Sequence, residues 1–269
     1  MPTSIRLCAL LCSILTAMGT AVVRSSEPIV PDGEGLPARV HHLTRDELAS
    51  LPVIETLKQH PSDQFLIDWK SLGGGHPYLG TKSEKPHTGA HLYFTPPQNG
   101  LDSSKPNGYP PIYAVADGIV SRVDRAFRLR AVYFPSLGTT RANLRYGIDI
   151  AIARSGDQPV SFHYSIEPMI DPGNVEFYIP FLKVEPGQRV RKGEVIATMY
   201  LPPDARDYEN SHIHFNLNCN REFQSPTIFT KEVEQEFFLK WDRQRLREDW
   251  PIPACMGWKL GPQEDPFRN

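Results

Sequence analysis

A pair of histidines two residues apart is the feature of this chain that most constrains its fold. Residues 210–217 read Asn-Ser-His-Ile-His-Phe-Asn-Leu, which is the alternation of a β-strand. Side chains at i and i+2 of a strand project to the same face, so His212 and His214 would lie side by side, with Ile213 and Phe215 opposite. Two such imidazoles can share a metal ion, or one can bind the ion while the other transfers a proton. The alternative is an ordinary pair of solvated or hydrogen-bonded histidines.

Composition favours a loop-rich, mainly β protein. The chain has 269 residues, 26 prolines and a formal net charge of −2. Short alternating apolar segments separated by Pro and Gly are typical of β folds. The small net charge indicates neither a nucleic-acid partner nor an attraction to an anionic membrane surface.

The N-terminus predicts export. Arg6 precedes a short apolar run over residues 7–17, and small residues follow, so residues 1–21 resemble a signal peptide. The run is short for a membrane span, with an uncleaved anchor as the alternative, so we expect no stable membrane insertion after the signal is removed. We therefore expect an exported protein of the periplasm or cell envelope. Cys219 and Cys255 remain in the mature chain and suggest one disulfide, with two buried thiols as the alternative.

Residues 22–75 predict a linker and helical lead-in. Thr44 and Glu47 form a capping-box pattern before a helix over about 45–59, whose middle Pro52 weakens. Residues 65–69 alternate as a short strand, and the triple glycine at 73–75 predicts a turn or loop.

Residues 76–225 hold most of the predicted strands. His91 alternates with Leu92 in one strand, and His87 lies in the turn before it. Residues 112–123 predict a hairpin that turns at Asp-Gly. The basic stretch 125–144 predicts a loop or long hairpin whose arginines form a solvated face, with a role in holding an acidic substrate as the alternative.

Two further features complete the pattern. His163 lies in an alternating strand on the face opposite Phe162 and Tyr164. Residues 226–269 predict a helix over about 231–247, with aromatic side chains packed on the core, followed by a tail rich in Pro and Gly.

The order of these motifs resembles the M23 (LytM-like, lysostaphin-type) zinc metallopeptidases over about residues 86–218. The motifs are His-Thr-Gly at 87–89, Ala-Val-Ala-Asp-Gly-Ile-Val at 114–120, and a histidine in a mid-chain strand. They continue with Val-Glu-Pro-Gly-Gln-Arg-Val-Arg-Lys-Gly-Glu-Val-Ile-Ala at 184–197 and Ser-His-Ile-His-Phe at 211–215. The resemblance implies an antiparallel β-sheet flanked by N- and C-terminal helices. The sheet would form a groove, and the strands that carry His91, His163 and His214 would be its floor.

The resemblance also implies roles for particular residues. His214 and His87 correspond to zinc ligands, and His163 and His212 to the catalytic histidines. His91 occupies the position at which the family has an aspartate ligand, so three imidazoles would bind the Zn²⁺ ion. Two alternatives stay open: Asp68 or another group supplies the third ligand, or the site is degenerate and hydrolyses nothing.

The implied activity is hydrolysis of amide bonds in peptidoglycan cross-bridges or stem peptides. A zinc ion would polarise water and the amide carbonyl, His212 would take or orient a proton, and His163 would stabilise the oxyanion or protonate the leaving amine. One rival is a non-catalytic LytM-like module that binds peptidoglycan or activates a separate amidase. The other is a carrier domain of the lipoyl-like type, which predicts a modifiable lysine in a turn and no convergent histidines.

Overall fold

The strands of the protein form one large antiparallel sheet and one small one. The computed structural model describes residues 35–78, 89–96, 100–219, 222–224 and 228–240, and the side chains of 76–78, 222–224 and 238 are not described. These residues belong to one compact unit. The strands are β1 (Arg39–Val40), β2 (Leu72–Tyr78), β3 (Gly89–Phe94), β4 (Pro111–Tyr113), β5 (Gly118–Phe134), β6 (Thr139–Ser155), β7 (Gln158–Glu167), β8 (Arg189–Val190), β9 (Val195–Thr198), β10 (His212–Cys219) and β11 (Glu222–Gln224).

The large sheet has the order β1-β5-β6-β7-β10-β3-β2, with β11 paired to β10 and β8 paired to β5. All of its strand pairings in the described residues are antiparallel. The prediction of a mainly β, antiparallel fold is therefore confirmed. The three strands that carry His91, His163 and His214 are neighbours, in the order β7-β10-β3.

The sheet has one apolar face and one polar face at its centre. On β10, Ile213, Phe215 and Leu217 are at most 2% exposed. They lie in one core with Phe162, Tyr164 and Ile166 of β7, as the alternation of each strand requires. The histidines and their polar neighbours occupy the other face.

The helices are short: α1 (Arg45–Ser50), α2 (Ile54–Gln59), α3 (Ala205–Tyr208) and α4 (Lys231–Leu239). The predicted capping box is present, because Thr44 accepts from the backbone N–H of Glu47 while Glu47 accepts from that of Thr44. The single helix predicted over 45–59 is wrong, since Leu51 and Val53 are extended around Pro52 and divide it into α1 and α2. Of the helix predicted over 231–247, α4 lies in the described residues, and the positions beyond 240 lie outside them.

The triple glycine is in a strand, not in the predicted loop. Gly73, Gly74 and Gly75 belong to β2, and a Cβ at Gly75 would lie 2.6 Å from the ring of Phe237. Glycine is therefore required for α4 to pack closely on this strand. The predicted boundary between residues 75 and 76 falls within β2.

Two other predictions about strands are wrong. Residues 65–68 form no strand, and a turn of 3₁₀-helix at Trp69–Ser71 follows them. Residues 112–123 form no hairpin, because β4 pairs with β9 in the separate two-stranded sheet while β5 pairs with β6. The basic stretch belongs to the long hairpin of β5 and β6, which was one of the two predictions for it.

None of the helices in the described ranges has the length and apolar content to cross a membrane.

Candidate functional site

A groove of about 740 Å³ lies over the polar face of the central strands. Its lining includes His91, His163, His212 and His214. Because the side chains of neighbouring antiparallel strands meet in directly opposed pairs, the register of the sheet determines which of these groups are adjacent.

The first row across the sheet joins two predicted metal ligands. His214 of β10 lies directly opposite His91 of β3, and their ring centroids are 5.0 Å apart. A Cβ at Gly89 would lie 3.0 Å from His214 Nε2 and 2.5 Å from the carbonyl oxygen of Phe215. The glycine of the His-Thr-Gly motif therefore lets β3 run close beside the His214 ring.

The second row contains His212 and an acid that the sequence did not indicate. His212 pairs with Tyr93 on one side and with Glu167 of β7 on the other. Its Nδ1–H donates to the carbonyl oxygen of Asn210 at 2.7 Å, so Nε2 is the proton-accepting nitrogen of the neutral ring. Nε2 lies 3.6 Å from Glu167 Oε2, which would stabilise the charge of a protonated imidazole.

The third row contains the other predicted catalytic histidine. His163 pairs with Asp149 of β6 and with Asn216 of β10, and it is 8% exposed. Its Nδ1 lies 2.5 Å from Asp149 Oδ1. Because an ionised carboxylate only accepts hydrogen bonds, Nδ1 carries the proton, and Asp149 orients the ring and stabilises its protonated form.

Asn216 contacts the His214 ring at Nε2. Its Nδ2 lies 3.0 Å from His214 Nε2, and its Oδ1 is buried without a hydrogen-bond partner in the described residues. A half-turn of the amide would bring Oδ1 to Nε2, which would then donate to it and leave Nδ1 as the unprotonated nitrogen. Metal-binding histidines have such a partner on the second ring nitrogen.

The separation of His91 and His214 matches that of two imidazole ligands of one zinc ion. Two imidazoles bound to one tetrahedral zinc, with Zn–N bonds of about 2 Å, have ring centroids about 5 Å apart, which is the separation of His91 and His214. Within the described ranges, no group of three His, Cys, Asp or Glu side chains is arranged to hold a metal. The third predicted ligand, His87, lies outside the described residues.

The alternative ligand Asp68 does not line this groove. Asp68 directly precedes the 3₁₀ turn at Trp69–Ser71, and its Oδ1 accepts a hydrogen bond from the Tyr113 hydroxyl at 3.2 Å. The backbone of His76 in β2, in contrast, lies directly opposite His91.

Cys219 ends β10, and its predicted partner Cys255 lies outside the described residues, as does the predicted signal peptide.

Comparison with known proteins gives one distant match. No family model matches the chain, and no curated protein matches it. A chain of the structure titled "Structure of the SpoIIQ-SpoIIIAH pore forming complex" aligns at 16% identity over 65% of this chain and 96% of that chain, with a TM-score of 0.32. At these values the likeness carries no argument about fold or function.

Proposed function

We propose that the protein is an exported zinc metallopeptidase that hydrolyses amide bonds in peptidoglycan cross-bridges or stem peptides. One observation carries the proposal: His91 and His214 face each other in a groove that also holds His163 with Asp149 and His212 with Glu167. The pairing of imidazole and carboxylate is the arrangement that proton transfer in hydrolysis needs. The peptidoglycan substrate and the export follow from the sequence resemblance and the predicted signal peptide.

Different histidines of the groove would bind the metal and transfer protons. His91, His214 and the predicted ligand His87 would hold zinc, which when bound supplies Lewis acidity toward water and a peptide carbonyl. His212 accepts a proton at Nε2, and Glu167 stabilises the resulting imidazolium. His163, held by Asp149, donates from Nε2 to the developing oxyanion or to the leaving amine.

A second function follows from one departure from the resembled family. His91 stands at the position of the aspartate ligand of that family. A non-catalytic module that binds peptidoglycan or activates a separate amidase would keep the groove and dispense with the metal. The carrier domain is disfavoured, because four histidines converge in one groove.

Zinc content and peptidoglycan digestion decide between these functions. We expect about one zinc per chain, by mass spectrometry, in the wild type and in His212→Ala, but none in His91→Ala or His214→Ala. All three variants should lose hydrolysis, and His212→Ala is the matched control because it removes an imidazole of the same groove that binds no metal in this proposal.

Two results would contradict parts of the proposal. A wild-type protein that takes up no zinc even after reconstitution is not a metallopeptidase, and the binding module would remain. Zinc that is lost in His214→Ala and retained in His91→Ala would remove His91 from the ligand set.

A further inference from the structure

The groove has a basic wall on the side of the β5–β6 hairpin. Arg130 of β5 and Arg145 of β6 both line it. The register pairs Tyr146 of β6 with Ile166 of β7, so the next residues along, Arg145 and Glu167, are neighbours, and Glu167 pairs with His212. Two strand spacings of about 4.8 Å separate the backbone of Arg145 from that of His212, so a short peptide could reach both.

Arg145 is held in place by two contacts. Its Nη2 donates to Asp124 Oδ2 at 2.9 Å, and its guanidinium lies 4.4 Å from the centroid of the Phe127 ring. A Cβ at Gly147 would lie 2.9 Å from the same Asp124 oxygen, so glycine provides the space for this carboxylate. An arginine that is already ordered loses little conformational entropy when it binds a ligand.

Among the described residues, the acids beside this wall are shared with other groups. Asp124 is 3% exposed and binds Arg122 and Arg145 together, so one carboxylate faces two guanidinium groups. Arg130 is exposed and adds a second positive charge. Glu167, the acid of the same groove, accepts from Asn143 Nδ2 at 2.6 Å and faces His212.

Two buried polar atoms beside this wall have no hydrogen-bond partner in the described residues. One is Nε of Arg145, a donor, and the other is Oδ1 of Asn143, an acceptor. Asn143 is 3% exposed and lines the groove, and its amide orientation follows from Glu167, which can only accept. Leaving such buried groups unpaired is unfavourable, so a small movement of the two side chains toward a ligand with a carboxylate and an adjacent N–H would be offset by hydrogen bonds to both.

We infer that Arg145 and Arg130 form a subsite for a carboxylate of the bound peptide, with Asn143 accepting from a neighbouring N–H. This inference deepens the proposed function, since it names the chemistry of the peptide that the same groove takes. The planar guanidinium group favours carboxylates through paired hydrogen bonds. The carboxylate comes from an acidic side chain or from the C-terminus of the peptide.

Three synthetic pentapeptides separate these sources. The first carries one Glu and an amidated C-terminus, the second replaces Glu by Gln and has a free C-terminus, and the third has Gln and an amidated C-terminus. We expect the wild-type protein to bind the first or the second about tenfold more tightly than the third by calorimetry. The preference should weaken as the salt concentration rises.

Three variants test which arginine is responsible. Arg145→Gln and Arg130→Gln should each reduce the preference for a carboxylate to less than about threefold. Arg122→Gln is the matched control, because Arg122 binds the same Asp124 at 2.7 Å without lining the groove, and it should keep the preference. Since Arg130 is exposed, its variant tests the subsite even where Arg145→Gln fails to fold.

Equal binding of the three peptides by the wild type, no binding of any of them, or a preference that both groove variants retain would overturn the subsite. A protein that prefers a carboxylate but hydrolyses no peptide would support the subsite and contradict the peptidase activity. A protein that hydrolyses amidated and free peptides equally would support the peptidase activity and contradict the subsite.

Discussion

At the scale of single residues, the histidines of the groove depend on partners from neighbouring strands. His163 relies on Asp149, and His212 relies on the Asn210 carbonyl and faces Glu167. Neither acid belongs to a histidine motif, and each comes from a strand that pairs with the one carrying its histidine. The register of the sheet therefore fixes the proton of His163 and places an acid beside His212, whereas the Asn210 carbonyl fixes the His212 proton locally.

Replacing Asp149 by Asn tests this dependence. The variant keeps the shape of the side chain but removes the carboxylate that holds the proton on His163 Nδ1, so we expect kcat for peptide hydrolysis to fall by about 100-fold or more. Zinc content and thermal stability should stay near the wild-type values, since Asp149 binds no metal in the proposed site.

Asp68→Asn is the control for that experiment, because this carboxylate contacts Tyr113 away from the groove and its replacement should leave kcat unchanged. A wild-type kcat in Asp149→Asn would show that the orientation of His163 does not matter to the reaction.

At the scale of elements, the apolar face of the sheet is covered by aromatic side chains. Phe237 of α4 is fully buried, with its ring centroid 5.3 Å from that of Phe65 and 5.9 Å from that of Phe215. Phe215 lies on β10 between His214 and Asn216, on the opposite face. The packing of α4 therefore supports the strand that positions the site.

Gly75→Ala measures how closely α4 packs on β2. The new methyl group would overlap the Phe237 ring and approach the His91 carbonyl oxygen, so we expect a loss of about 1–3 kcal/mol in the free energy of unfolding, measured with urea. Gly108→Ala is the control, because no atom lies within 4 Å of its Cβ, and its effect should stay within about 0.5 kcal/mol. Equal effects of the two substitutions would show that α4 does not restrict position 75.

At the scale of the whole molecule, one buried acid makes stability depend on pH. Glu234 of α4 is 1% exposed, and its Oε2 has no hydrogen-bond partner in the described part of the chain. Burial raises the pKa of Glu234 from 4.5 to about 8. The folded state therefore binds a proton that the unfolded state releases, so this residue lowers the free energy of unfolding as pH rises from about 4.5 to about 8.

Glu234→Gln should remove that loss. Relative to the wild type, the variant should gain about 3–4 kcal/mol in the free energy of unfolding between pH 5 and pH 8, since each unit of pKa shift corresponds to about 1.4 kcal/mol. Urea unfolding at both pH values measures the difference, and Glu232→Gln, an exposed neighbour on the same helix, should show no such gain. A difference between wild type and Glu234→Gln that is constant with pH would mean that Glu234 is ionised in the folded protein.

Local periodicity determined which residues face the groove. The alternation of β10 places His212 and His214 on one face and Ile213 and Phe215 on the other, and the same rule places His163 opposite Phe162. A strand has a side-chain period of two whatever its partners are, so these assignments needed only the sequence. The capping box before α1 was predictable for the same reason, because its hydrogen bonds join residues three apart.

The tertiary structure decided which strands are neighbours. Only the order β6-β7-β10-β3 brings Asp149 to His163, Glu167 to His212 and His91 to His214. Long-range pairing also explains two predictions that were wrong. β4 pairs with β9 and not with β5, and the triple glycine lies in β2, where Gly75 contacts Phe237 of α4. Such pairings depend on how all the apolar faces are buried together, and the local pattern of one segment does not show which other segment it pairs with.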